Sequence, residues 1–251
     1  MQTSKTDQIR ALLKSIETGD PGPIAVVNQS KYIQHNPQTH EGSEGLEALF
    51  KRLSLTNPRV NVVRAFEDGN FVFGHTEYDF SSQRIGFEVF RYDGDQVVEH
   101  WDNIQARKGP NGSGHSMVNG PTDAGDLNRT EENRALVAAF VQQILIRRDH
   151  THMDDYFQED QLIQHDHALS DGADALLASL TSQTTAKLYE KCHRVLACGS
   201  FVLAVCEGRQ QGRHSSFYEM FRIENGKLVE HWNTVETVPP RELWKNDNGK
   251  F

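Results

Sequence analysis

With 251 residues, 37% of them hydrophobic and 24% charged, the chain exceeds one average domain and can bury real cores, so two domains of about 125 residues are the natural expectation. A formal charge of −9 with both signs interspersed argues against a nucleic-acid or anionic-membrane surface. The polar start, the lack of any apolar run of membrane-spanning length, and three cysteines (Cys192, Cys198, Cys206) whose spacings fit no common metal motif point to a soluble cytoplasmic protein with free thiols.

The first element expected is a helix, because Ile9, Leu12, Leu13 and Ile16 form one apolar stripe before Gly19-Asp20-Pro21 stops it. A short segment around 25–27 follows, then Tyr32-Ile33-Gln34-His35-Asn36-Pro37 and a helix near 43–53. Runs rich in Val, Phe, Tyr and Ile at 59–66, 70–80, 84–92 and 96–104, broken by Asp68-Gly69 and Asp93-Gly94, predict hairpin strands. Residues 106–127, with five glycines and two prolines, read as a linker. From 128 the same order returns. A helix carries Leu136, Val137, Phe140, Val141, Ile144 and Leu145 and is capped by Asn128 or Thr130. A segment at 153–157, a helix at 171–180, and strands at about 187–196, 200–209, 214–223 and 227–235 follow. After Pro239-Pro240 a tail bearing Trp244 and Phe251 is expected to dock.

This order is a duplication. Val98-Glu99-His100-Trp101 returns as Val229-Glu230-His231-Trp232 at a shift of 131, in a chain with only three tryptophans. Ile33-Gln34-His35, Gly42, Leu46 and Gly69-Asn70-Phe71-Val72 return as Ile163-Gln164-His165, Gly172, Leu176 and Gly199-Ser200-Phe201-Val202 at 130. Glu88-Val89-Phe90-Arg91 pairs with Glu219-Met220-Phe221-Arg222 at 131, so one residue is added between the blocks, in a turn. The expected division is 1–105 and 128–251 around the linker. Helices first and an antiparallel meander afterwards define an α+β class.

The Tyr32–Pro37 motif, followed by hairpin strands ending in Asp-Gly and Val-Glu-His-Trp-Asp, resembles the SnoaL-like polyketide cyclases of the nuclear transport factor 2-like superfamily. The resemblance implies two tandem cone-shaped, cystatin-like domains, each a curved antiparallel sheet wrapped around its N-terminal helices with a pocket at the wide end. It implies cofactor-independent chemistry, and pairing of the two copies as an intramolecular pseudo-dimer that could dimerise again. Relatives include cyclases, dehydratases, isomerases, epoxide hydrolases and non-catalytic members, so the fold does not name a reaction.

Strand alternation puts His100, Asp102 and Ile104 on one face, where Asp102 is the expected proton-transfer group, at the position to which the resemblance assigns an acid/base aspartate. The competing reading is a carboxylate that merely orients His100. His35 and Asn36 are expected to polarise a substrate oxygen, against a fold role suggested by the return of Gln164-His165. His75, on a face with Phe71, Phe73 and Glu77, is a third candidate catalytic histidine or a satisfied core one. Glu88, Tyr78, Phe87 and Trp101 are expected substrate contacts, with a structural ion pair for Glu88 and plain core packing for the aromatics as the alternatives. The second copy has Asn233 where the first has Asp102, Val205 where it has His75, and Asp166-His167 where it has Asn36-Pro37. It is therefore expected to be mainly structural, since an amide accepts no proton at neutral pH. His165-x-His167 and His150-x-His152 have metal-ligand spacing, but with twelve histidines such pairs arise cheaply, and neither a metal nor a cofactor is expected. The function expected is acid/base chemistry on a small, apolar, carbonyl-containing molecule, of cyclase, isomerase or dehydratase type, in the first domain. The alternative is a non-catalytic ligand-binding or interaction module in which both copies are scaffolds.

Overall fold

The computed structural model describes residues 3–182 and 187–251, leaving Met1 and Gln2 of the polar start outside. The chain separates into two compact units, residues 1–106 with 238–251, and residues 107–237. The stretch expected to be a linker therefore belongs to unit 2, and the tail expected to close the second domain belongs to unit 1.

Unit 1 opens with α1 (Lys5–Thr18), whose N-cap Ser4 accepts a hydrogen bond from the Asp7 N–H and whose C-cap Gly19 sits at φ 72°. That left-handed turn is cheap for glycine and ends the helix where expected. The stripe Ile9, Leu12, Leu13 and Ile16 is buried. A single turn at Gly22–Val26, strand β1 (Ile33–Gln34) and helix α2 (Gly42–Ser54) lead into β2 (Arg59–Asp68), β3 (Phe71–Asp79), β4 (Gln83–Asp93) and β5 (Gln96–Ala106). The sheet runs β1-β5-β4-β3-β2, antiparallel except where β1 lies parallel to β5. Apolar residues of α1 and α2 form one buried cluster with Val72, Tyr78 and Phe90 of the sheet.

Unit 2 repeats this with α3 (Thr130–Phe140, extended by a π turn Val141–Ile146), β6 (Ile163–Gln164), α4 (Ala173–Thr181), β7 (Lys187–Cys198), β8 (Phe201–Gln210), β9 (Arg213–Glu224) and β10 (Lys227–Thr237). Its order, β6-β10-β9-β8-β7, is the same. The α+β class expected from the order of elements is the class that folds. The inserted residue sits in a hairpin turn. Asp79 faces Gln83 across three residues, while the corresponding positions 209 (79 + 130) and 214 (83 + 131), Arg209 and His214, face each other across four. There Gln211 and Gly212 both take positive φ, 51° and 78°, the geometry that closes a two-residue hairpin. Among the described residues no helix is long and apolar enough to cross a membrane.

Candidate functional site

In unit 1 the α1–α2 layer and the sheet enclose a cavity of about 60 Å³, mostly apolar but walled on the sheet side by Gln34, Tyr78, Glu88, His100 and Asp102. These come to one face because alternate residues of β3, β4 and β5 share it, and Glu88 lies opposite Asp102 in the β4–β5 register. His100 Nδ1 faces Gln34 Oε1 at 3.1 Å, and that oxygen already accepts the Asn36 N–H at 2.9 Å. The Nδ1 of His100 therefore carries hydrogen. Its Nε2 lies 2.7 Å from Glu88 Oε2, a contact that needs one proton between them. Tyr78 donates its hydroxyl to Glu88 Oε1 at 2.7 Å.

Asp102 is only 4% exposed. Its Oδ1 is 3.1 Å from the Lys250 ammonium, and its Oδ2 accepts the Asn36 amide at 2.7 Å. Burial pushes both carboxyls up. For Glu88 burial wins over the His100 contact, and the group titrates above its ordinary value. For Asp102 the charges of Lys250 and His100 and the Asn36 amide outweigh burial, and it titrates below. Two neighbouring carboxyls pushed apart in this way are suited to opposite proton-transfer roles.

Lys250 was not legible as a site residue. It reaches Asp102 because the tail is strapped across the β1 turn: Asn246 donates to the carbonyls of Asn36 and Thr39, Asn248 to that of Gln34, and the Lys245 N–H to that of Pro37. The tail docks as expected, but through asparagines. Trp244 folds back on its own segment, donating to Pro239 O and covered by Arg241.

Four expected site residues are not at the cavity. His35 leaves it for the opposite face of the sheet, stacking on Trp101 at 4.6 Å and placing its nitrogens against Glu99 Oε1 at 2.8 Å and Gly249 O at 3.0 Å. His75, fully buried, stacks on Phe87 at 4.4 Å beside Arg64. Trp101 and Phe87 belong to that same far face and do not line this cavity. The alternation was right, but which face opens on the cavity depends on which one the helices cover. Asn36 reaches the cluster by holding Asp102.

The far-face assembly recurs in unit 2, where His165 stacks on Trp232 at 4.6 Å between Glu230 Oε1 at 2.9 Å and Ser116 O at 2.7 Å. A carbonyl from the 107–126 stretch thus does for His165 what Gly249 does for His35, which supports the fold role. Of the two metal pairings, His165 is committed in this way, while His167 is 41% exposed and His152 pairs with Asp155.

The cavity-side cluster also recurs, with its members redistributed. His231 lies 2.8 Å from Gln164 Oε1 and 2.7 Å from Glu219 Oε2, repeating the first unit. The hydroxyl on Glu219 comes from Tyr189, at 2.6 Å. Tyr189 stands directly opposite Gly208, which occupies the position of Tyr78 (208 − 130), so the donor has crossed to the neighbouring strand. The carboxylate has moved as well: Asn233 donates to Asp166 Oδ2 at 3.0 Å, exchanging the roles of Asp102 and Asn36. Lys187, on β7, supplies the ammonium at 3.0 Å. Both changes are visible in the sequence, but only the contact between Asn233 and Asp166 makes them an exchange instead of a loss.

Among the described residues, Glu88, His100 and Asp102 are the one grouping whose ligand atoms lie within 4.8 Å of one another in the manner of a metal site. Their carboxylate oxygens are already taken by Tyr78, His100, Lys250 and Asn36, so a cation would have to displace an ammonium.

No family model matches the chain, and no curated protein does. Solved structures similar to part of it include TsrD from Streptomyces laurentii, at 16% identity over 41% of this chain and 92% of that one, TM-score 0.34. IdmH from Streptomyces antibioticus, a candidate polyketide cyclase, has 15% identity over 41% and 93%, TM-score 0.37. An LEH-like epoxide hydrolase of M. tuberculosis has 17% identity over 40% and 81%, TM-score 0.35. Each aligns with less than half of the chain, and at these identities and scores none bears on its chemistry.

Proposed function

We propose that unit 1 is a cofactor-independent acid/base enzyme of the SnoaL-like kind, moving a proton on a small, apolar, carbonyl-containing molecule. The observation that carries this is the convergence of Glu88, His100 and Asp102 within 4.8 Å on the wall of an otherwise apolar cavity. Asp102, kept ionised by Lys250, is the base that takes a proton from the carbon beside the carbonyl. The proton shared by Glu88 and His100 is delivered to the developing oxyanion or leaving hydroxyl, and Tyr78 steadies Glu88 as its charge changes. Isomerisation, dehydration and aldol-type closure all fit this exchange.

A second reading, a packed scaffold or binding module, is favoured by two observations. Both Asp102 oxygens are already hydrogen-bonded, and a cavity of about 60 Å³ is well below the size of most ligand sites. A panel of small ketones in D₂O, followed by proton NMR for exchange of the hydrogens beside the carbonyl, separates the two. Exchange above the buffer rate that is lost in Asp102→Asn supports the enzyme. Exchange at the buffer rate for every ketone, or unchanged by that substitution, supports the scaffold.

A further inference from the structure

Two of the three cysteines face each other across adjacent strands. Cys192 on β7 is the register partner of Cys206 on β8. Opposed residues of an antiparallel pair have Cα atoms about 4.5–5.5 Å apart, inside the span a disulfide bridges. Each thiol perturbs the other: the neighbouring Cys206 lowers the Cys192 thiol and the neighbouring Cys192 raises the Cys206 thiol. Cys206 is completely buried, whereas Cys192 is partly open to solvent, with its sulfur 3.4 Å from Arg194 O. β7 shifts register on both sides of Cys192, between Tyr189 and Lys191 and between Cys192 and Arg194, which gives that stretch room to adjust. The fold does not ask for sulfur here, because the corresponding pair in unit 1 is Val62 opposite Thr76 (192 − 130 and 206 − 130). Cys198 lies six residues along β7, about 20 Å away at strand rise, and faces Phe201.

We propose that Cys192 and Cys206 are a peroxide-reactive thiol pair, with Cys192 the attacking sulfur and Cys206 the resolving one. Cys192 thiolate attacks one oxygen of a hydroperoxide and the O–O bond breaks. Cys192 keeps that oxygen as a sulfenic acid, and the other oxygen leaves with a proton as water, or as an alcohol from an organic peroxide. Cys206 sulfur then attacks the Cys192 sulfur and the S–O bond breaks. The departing hydroxide takes the Cys206 proton and leaves as water. The thiols lose two electrons and the peroxide gains them. The division of roles follows from exposure. The neighbouring Cys206 thiol also holds the Cys192 thiol below the usual value, while Cys192 and burial together keep Cys206 protonated until attack. The closed bond would tie β7 to β8 three residues from Tyr189, the residue that supplies Glu219 with its hydroxyl.

The test uses the full chain, reduced and then treated with hydrogen peroxide, with remaining thiols alkylated under denaturing conditions and counted by intact mass and peptide mapping. The expected result is a fall from three free thiols to one, a loss of two hydrogens in mass, and a peptide joining Cys192 to Cys206. Cys198→Ser should behave as the parent. Cys206→Ser should stop at a dimedone-trappable sulfenic acid on Cys192. Cys192→Val with Cys206→Thr, which installs the unit 1 pair, should fold with an unchanged circular-dichroism spectrum and resist peroxide at both positions. Three thiols surviving, Cys198 reacting in their place, or joined chains instead of an internal bond would each overturn the proposal.

Discussion

Replacing Asp102 by Asn is the sharpest probe of the unit 1 cluster. The substitution keeps the shape but removes the charge that faces Lys250, whose side chain is 1% exposed, and sets an amide N–H₂ against that of Asn36. Stranding one member of a buried ion pair costs about 3–5 kcal/mol. The new amide oxygen still accepts from Lys250, so the lower end, about 3 kcal/mol, is expected. With a urea m-value of about 2 kcal/mol/M, that is a midpoint shift of about 1.5 M. A double-mutant cycle with Lys250→Met should give a coupling above about 2 kcal/mol, because the doubly substituted chain buries neither charge alone. The pH dependence has a definite sign. Asp102 titrates lower in the folded chain than unfolded, so its stabilisation is present above its unfolded value, about 3.9, and is lost as pH falls through the folded one. The gap between parent and variant should hold from pH 7 down to about 4 and close below it. Adding Asn36→Asp, which recreates the unit 2 arrangement, should recover more than half of the loss. A coupling under about 0.5 kcal/mol would mean that the tail does not hold its ammonium on Asp102 in solution, and the reasoning would fail.

Glu88 titrates above its ordinary value because of burial, the opposite case: its contribution is full below the unfolded value and declines as pH rises through the folded one. Glu88→Gln should therefore gain stability relative to the parent as pH rises from 4.5 to 8, as measured by denaturation at each pH, and a flat difference would contradict the shift. In unit 2, Asp166 is held well below the ordinary carboxylate range against burial, chiefly by Lys187, and Asp166→Asn should cost a few kcal/mol at pH 7, fading below about pH 4. A melting temperature unchanged at neutral pH would refute it. Gly208→Ala should be among the most damaging small substitutions, since a Cβ there would lie 1.9 Å from the Leu188 carbonyl oxygen. Alanine should lower the melting temperature by several degrees, while Gly212→Ala, with nothing within 4 Å but a φ of 78°, should cost only about 1 kcal/mol.

Much of this protein could be read from the chain alone. Apolar spacing placed α1, and Val, Phe and Tyr runs placed the strands within a few residues of where they fall. The return of Glu-His-Trp announced that two units share one plan, and alternation put His100, Asp102 and Ile104 on one face, where the cavity lies. These are local properties, set by backbone periodicity and by which side chains avoid water. Three things were decided only in three dimensions. One is which sheet face the helices cover, and hence that His35, His75, Phe87 and Trp101 stand away from the cavity. The second is the arrival of Lys250 at Asp102 from 148 residues away. The third is the pair of contacts in unit 2 by which Asn233 holds Asp166 and Tyr189 replaces a hydroxyl lost at Gly208. A buried carboxylate needs a donor and a countercharge within hydrogen-bond distance, but it is indifferent to which strand supplies them. Position-by-position comparison of the two halves therefore shows two separate changes, while the folded chain brings them together, keeping the charge and changing only the residue that carries it.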